Sequence, residues 1–128
     1  MKLHHIGIAV KSIDEYYNSF MKPILGYNKI SNIINNESQH SRIAFAENGQ
    51  SVKIELIEAI DENSPTYSIV QNGNGGFYHL GFVSEDFEND IKQLRKQKFI
   101  LISQKEGVAF LLAPTYEIYE LLDQAEGW

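Results

Sequence analysis

Residues Leu3–Val10 read LHHIGIAV, and the fold turns on that stretch. Apolar residues alternate with small or polar ones, which is the period of a β-strand. Strand geometry sends neighbouring side chains to opposite faces. Ile6, Ile8 and Val10 then share one face with His4, while His5, Gly7 and Ala9 share the other. The first face needs an apolar cover. The second is narrow, with one imidazole standing on it. The pattern returns at Tyr78–Ser84, YHLGFVS, with Leu80 and Phe82 set against His79, Gly81 and Val83. Two more runs echo each other: KIELIEA at Lys53–Ala59 and IYELLDQ at Ile118–Gln124. Each holds a carboxylate among apolar residues, Glu55 or Glu120. Self-similarity of this kind marks one small unit written twice. Each copy carries a histidine near its start and a glutamate near its end.

The rest of the chain fills in that repeat. Ser12 followed by Glu15 is a capping box, and it opens a helix. Ile13, Tyr16, Tyr17, Phe20, Met21 and Ile24 recur at spacings of three and four. They form one apolar stripe for the Ile6, Ile8, Val10 face. The tyrosine pair belongs to that stripe rather than to a binding site. Pro23 is expected to break the helix, and Gly26 to stop it. Strands are expected at Tyr27–Asn35, Arg42–Ala46 and Val52–Ile60. A turn covers Asn35–Ser38, and a tight hairpin sits at Asn48-Gly49. His40 falls in a turn, where surface placement is expected. Asp61–Gly76 is a connector, with a short helix after Ser64-Pro65 and a flexible glycine-rich hinge at 72–76. It lacks the ending and context of a phosphate-cradling loop. The second copy follows with strand 78–83, a helix presenting Phe87, Ile91 and Leu94, and strands at 101–103, 108–113 and 116–123. A terminal Trp128 carries no functional signal. The expected fold is α+β: two paired βαβββ modules forming a curved, partly open mixed sheet with helices outside. One domain is expected over 1–128, with module one at 1–60, the connector at 61–76 and module two at 77–128.

Composition narrows the function classes. The 128 residues carry a net charge of −6, which argues against a nucleic-acid groove, since neutralising phosphates needs clustered Lys and Arg. Cysteine is absent, so disulfides and thiolate metal sites are excluded. No run is long enough to span a bilayer, and no signal peptide is read at the start. A cytoplasmic protein is expected.

Strand parity allows His5, Glu55, His79 and Glu120 to face one cavity. Four N and O ligands suit Zn²⁺, Ni²⁺, Co²⁺, Mn²⁺ or Fe²⁺. Two carboxylates also cancel the charge of a divalent ion, which lowers the cost of burying it. The bland alternative makes each histidine a polar strand cap. A lone carboxylate inside an apolar strand is harder to explain that way, because isolated buried charges are costly. His4 points with Ile6 and Ile8 and is left outside the set.

HHIGIAVKSID, KIELIEAIDENSP, GFYHLGFV and YELLD together resemble the vicinal oxygen chelate superfamily, over almost the whole chain. That superfamily includes glyoxalase I, methylmalonyl-CoA epimerase, bleomycin-resistance proteins and extradiol dioxygenases, and the texture is closest to the epimerases. The resemblance implies a metal at His5, His79 and Glu120. Glu55 stands where glyoxalase I has a ligand glutamate and the epimerases a glutamine. It also implies a base, Glu120 or Glu55, that removes a proton next to a carbonyl and leaves an enediolate steadied by a Lewis-acid metal. Gln39 matches an epimerase glutamine, whereas Ser38 holds the position of the epimerase acid/base glutamate and Glu37 is one step off. Lys105-Glu106-Gly107 is a bare turn where relatives have a longer loop. Only Lys11, Arg42 and Lys53 offer themselves to a CoA phosphate.

The expected activity is therefore that of a divalent-metal isomerase or lyase. It would act on a small carbonyl or thioester compound, with the chain pairing as a homodimer. The alternatives are a metal-free small-molecule (antibiotic) binding protein of the same fold, and an extradiol-type dioxygenase using two His and one Glu.

Overall fold

The structure is a computed structural model, and it describes residues 1–49 and 52–125. Trp128 lies outside the described residues. The fold is α+β. Among the described residues there are nine strands, in mixed sheet that does not close on itself. In chain order the elements are β1 (Lys2–Val10), α1 (Ile13–Tyr16) running directly into a π-helix (Tyr17–Leu25), β2 (Lys29–Ile30), β3 (Ile34–Asn36), β4 (Ser41–Glu47), β5 (Lys53–Ala59), α2 (Tyr67–Gly73), β6 (Gly76–Val83), α3 (Phe87–Lys96), β7 (Ile100–Lys105), β8 (Val108–Leu112) and β9 (Ile118–Leu122). No helix among the described residues is long and apolar enough to cross a membrane.

The chain forms two compact units, Ile6–Tyr78 and Met1–His5 with His79–Trp128. In the first, strand order is β2-β4-β5-β1, with β3 also pairing β4. Its core gathers Val10, Ile13, Tyr17, Met21, Ala44, Ala46 and Leu56. The capping box is present: Ser12 Oγ accepts the Glu15 N–H at 3.2 Å. Glu58 supports the same helix start, accepting the Ile13 N–H at 2.9 Å on one oxygen and Arg42 at 2.8 Å on the other. Three hydroxyls, Ser41, Ser64 and Thr66, form a buried chain that ties the connector to β4.

The helix departs from expectation after its first turn. Pro23 does not end it; the coil widens to π geometry and runs to Leu25. A wider turn does not ask for the Pro23 N–H at an α-helical spacing, and it eases the ring off the carbonyl four residues back. It also re-aims the stripe. Ile13, Tyr17 and Met21, four apart, are buried, while Phe20 and Ile24 are exposed. The strand expected at Tyr27–Asn35 is broken into β2 and β3. Ser31 sits in the gap and accepts the Phe45 N–H on its own hydroxyl at 2.9 Å. Such side-chain bonds compete with a regular ladder. The tight hairpin expected at Asn48-Gly49 is not a two-residue turn, since β4 ends at Glu47, β5 opens at Lys53 and Ala46 pairs Ile54; residues 50–51 lie outside the described residues. Residues 72–76 are not simply a free hinge, since a Cβ on Gly75 would lie 2.5 Å from the Ala9 carbonyl oxygen.

The second unit orders its strands β6-β9-β8-β7. β6 and β9 run parallel, and the other pairs are antiparallel. Ile91, Ala109, Leu111 and Leu121 form its core, with Phe87 and Leu94 of α3 packed on it. The face of α3 follows the sequence, but β7 shifts register between Leu101, which pairs Leu111, and Ser103, which pairs Phe110, and the last strand begins at Ile118 rather than Tyr116, whose φ is positive. The Glu106-Gly107 turn is bare, as expected: Lys105 pairs Val108, and both turn residues have positive φ, the conformation of a tight hairpin.

Candidate metal centre

Four buried side chains, His5, Glu55, His79 and Glu120, could hold a metal ion. Three of them belong to the unit that contains β6–β9. Parallel pairing sets Gly81 beside Glu120 and His79 beside Ile118. His79, Gly81 and Glu120 therefore share a face of the sheet. Phe110 lies opposite Glu120 on β8, and its ring meets the His79 imidazole edge to face at 5.8 Å. A Cβ on Gly81 would fall 2.2–2.6 Å from three atoms of the His5 ring. Only glycine leaves that imidazole its place.

The three polar ends form a small triangle. His5 Nε2 lies 2.9 Å from His79 Nε2 and 2.8 Å from Glu120 Oε1, and His79 Nε2 lies 3.2 Å from the same oxygen. With Glu120 ionised, ring protons alone cannot satisfy all three contacts. A ring nitrogen either carries a proton or offers a lone pair. With both rings protonated at Nε2, two donors face each other. With one protonated, a lone pair faces the carboxylate. With neither, every contact is between acceptors. One cation shared by all three removes the conflict. The edges fit as well: ligand atoms at about 2.1 Å from an ion stand about 3.0 Å apart in an octahedral set and about 3.4 Å apart in a tetrahedral one. The residues present fit a divalent ion.

Glu55 is buried on β5 in the other unit and pairs Phe45. Glu120 pairs Phe110 in the same manner, so the repeat extends to the neighbours of each acid. His40 is exposed, as expected, with Asp61 3.4 Å away. Glu37 and Ser38 lie exposed on a single 3₁₀ turn that also holds Gln39. Of the cations proposed for CoA, Arg42 is taken up by Glu58 at 2.8 Å. His4 is the residue that strand parity missed, because its Nδ1 lies 2.9 Å from Nδ1 of His5.

An unclosed mixed sheet with two imidazoles and a carboxylate converging at a buried point defines a candidate metalloprotein of α+β class. Residues 4–111 match the Glyoxalase/Bleomycin resistance protein/Dioxygenase superfamily, and the chain belongs to that family. The chain is 33% identical over 103 residues to the uncharacterized protein YqjC of Bacillus subtilis (strain 168), covering 80% of this chain and 71% of that one. The hypothetical protein BH1468 of Bacillus halodurans C-125 has a similar structure, with 29% identity, a TM-score of 0.79, and coverage of 99% of this chain and 96% of the other. The fold is also that of methylmalonyl-CoA epimerase from Mycobacterium tuberculosis, at 23% identity and a TM-score of 0.81, covering 94% and 86%.

Proposed function

We propose that this protein is a divalent-metal isomerase or lyase that moves a proton next to a carbonyl or thioester. The observation that carries the reading is the triangle of His5, His79 and Glu120, whose contacts no arrangement of ring protons satisfies while Glu120 is ionised. His5, His79 and Glu120 would hold the ion, with Glu55 as a fourth ligand. Glu55 is a buried carboxylate on a strand of apolar residues, and two carboxylates would balance the charge of a divalent ion. A bound ion supplies Lewis-acid polarisation of the substrate's oxygen, worth several kcal/mol.

The remaining work falls to the chain. One carboxylate, Glu120 or Glu55, takes the proton from the carbon beside the carbonyl. The C–H bond breaks, an O–H bond forms, and the electron pair is left on the carbonyl side. The same carboxylic acid then returns the proton to the neighbouring carbon or to the opposite face. An exposed carboxylate is a weak base at about pKa 4.3, and a bound cation would favour the charged form of a carboxylate that ligates it, so the base would be whichever of the two lies looser on the ion. Phe110, against His79, helps exclude water from that side.

The test is deuterium wash-in from heavy water into candidate thioesters and hemithioacetals, with Zn²⁺, Ni²⁺ or Co²⁺ supplied. Metal bound at one ion per chain, with wash-in lost in Glu120→Gln and Glu55→Gln, is the expected result. A protein that takes up no ion on loading ends the reading. A second reading has support from one observation: two His and one carboxylate form the ligand set of non-haem Fe²⁺ oxygenases. Oxygen uptake with a catechol and Fe²⁺, undiminished in Glu55→Gln, would select it.

A further inference from the structure

We propose that His4 is a positioning residue, which accepts a hydrogen bond from Nδ1–H of His5 and so keeps the Nε2 lone pair of His5 aimed at the ion. This rests on the metal reading above and adds a residue to it.

The geometry leaves one consistent assignment. His5 presents Nε2 to His79 and Glu120 at 2.9 and 2.8 Å, so Nε2 is the atom that would bind. A neutral imidazole carries one proton, and a ligating Nε2 must leave it on Nδ1. Nδ1 of His5 lies 2.9 Å from Nδ1 of His4, with the ring planes at 89°. His5 therefore donates and His4 accepts, which puts the His4 proton on its own Nε2. The opposite assignment, with His4 donating through Nδ1, strips His5 of its Nδ1 proton. That proton then moves to Nε2 and blocks ligation. The second ring nitrogen of a ligating histidine commonly donates to a carbonyl or carboxylate, and losing that partner weakens metal binding about 10–100-fold. Here a neighbouring imidazole takes the part. Gly81 and His4 then constrain the same ring in two ways: the glycine leaves space for it, and His4 selects its tautomer.

The experiment uses the full-length, nitrogen-15-labelled protein, with Zn²⁺ as the probe. In the Zn²⁺-loaded parent, long-range proton–nitrogen spectra should place the His5 proton on Nδ1. A nitrogen–nitrogen coupling across the hydrogen bond should link it to His4 Nδ1. Chelator competition should show Zn²⁺ binding weakened about 10–100-fold in His4→Phe and largely restored in His4→Asn. Phenylalanine keeps a ring but has no acceptor, whereas asparagine loses the ring and offers an oxygen near the Nδ1 position. A purely structural ring would show the reverse order. His5 protonated at Nε2, no coupling to His4, or a His4→Phe affinity within about twofold of the parent would overturn the proposal. Should His4→Phe fail to fold, the coupling in the parent decides. A parent that binds no Zn²⁺ fells the metal reading and this inference with it. A parent that binds while His4→Phe binds equally well removes only the role of His4.

Discussion

Gly81 leaves room for the His5 ring at the candidate centre without offering a ligand. Any side chain there meets the His5 ring at 2.2–2.6 Å, closer than non-bonded atoms approach. Gly81→Ala should keep the fold, because the imidazole is a side chain that can swing away. It should cost the ion one of its nitrogens, weakening Zn²⁺ binding at least about tenfold in chelator competition with the circular-dichroism spectrum unchanged. Unaltered affinity would mean that His5 is not a ligand. The candidate ligands were legible in the sequence because parity and repetition are backbone properties: His5 and His79 open matching strands, and Glu55 and Glu120 sit in matching ones. The role of Gly81 was not legible, since it depends on a ring arriving from another strand. Nor was that of His4. Alternation fixes where a Cβ points, but Nδ1 is the ring nitrogen nearest the backbone, and two torsions can swing it toward the next residue.

The first helix shows what periodicity alone misses. Spacings of three and four define a stripe, yet they cannot say which of the two the coil will honour. Pro23 decides, because the π turns that accommodate it favour the four-residue spacing of Ile13, Tyr17 and Met21. Met21 is 1% exposed, whereas Ile24 is 71% exposed. Met21→Ala should cost about 2–5 kcal/mol in urea unfolding, and Ile24→Ala should stay within about 0.5 kcal/mol. Equal losses would restore the uniform stripe read from the sequence. Strand β9 tells the opposite story. Ile118–Leu122 alternates as read, and its parallel pairing with β6 seats Glu120 beside Gly81. The break between β2 and β3 was not legible. A serine hydroxyl in place of a ladder bond leaves no periodic mark.

His5 and His79 bracket the whole segment Ile6–Tyr78, which is one of the two compact units, while the other joins residues 1–5 to the chain from His79 onward. Residues 2–5 open β1, where Leu3 is 36% exposed and His5 is buried. An ion held by His5, His79 and Glu120, as proposed, would tie that piece to the strands from His79 onward and close residues 6–78 into a loop. Ion binding would then be a folding term for the unit that contributes His5, His79 and Glu120. Binding to the native state alone stabilises by about 2.7 kcal/mol when free ion stands at a hundred times its Kd. The urea midpoint of the parent should therefore rise with the logarithm of free Zn²⁺ and fall back on adding chelator. Glu120→Gln, which removes a charged oxygen lying near both imidazoles, should flatten that dependence. Amide hydrogen exchange locates the effect. Residues 2–5 should gain protection on loading, together with the β1 amides that follow them. Protection confined to β6 and β9 would mean that the ion is held without His5, and that the N-terminal strand is fixed by packing alone.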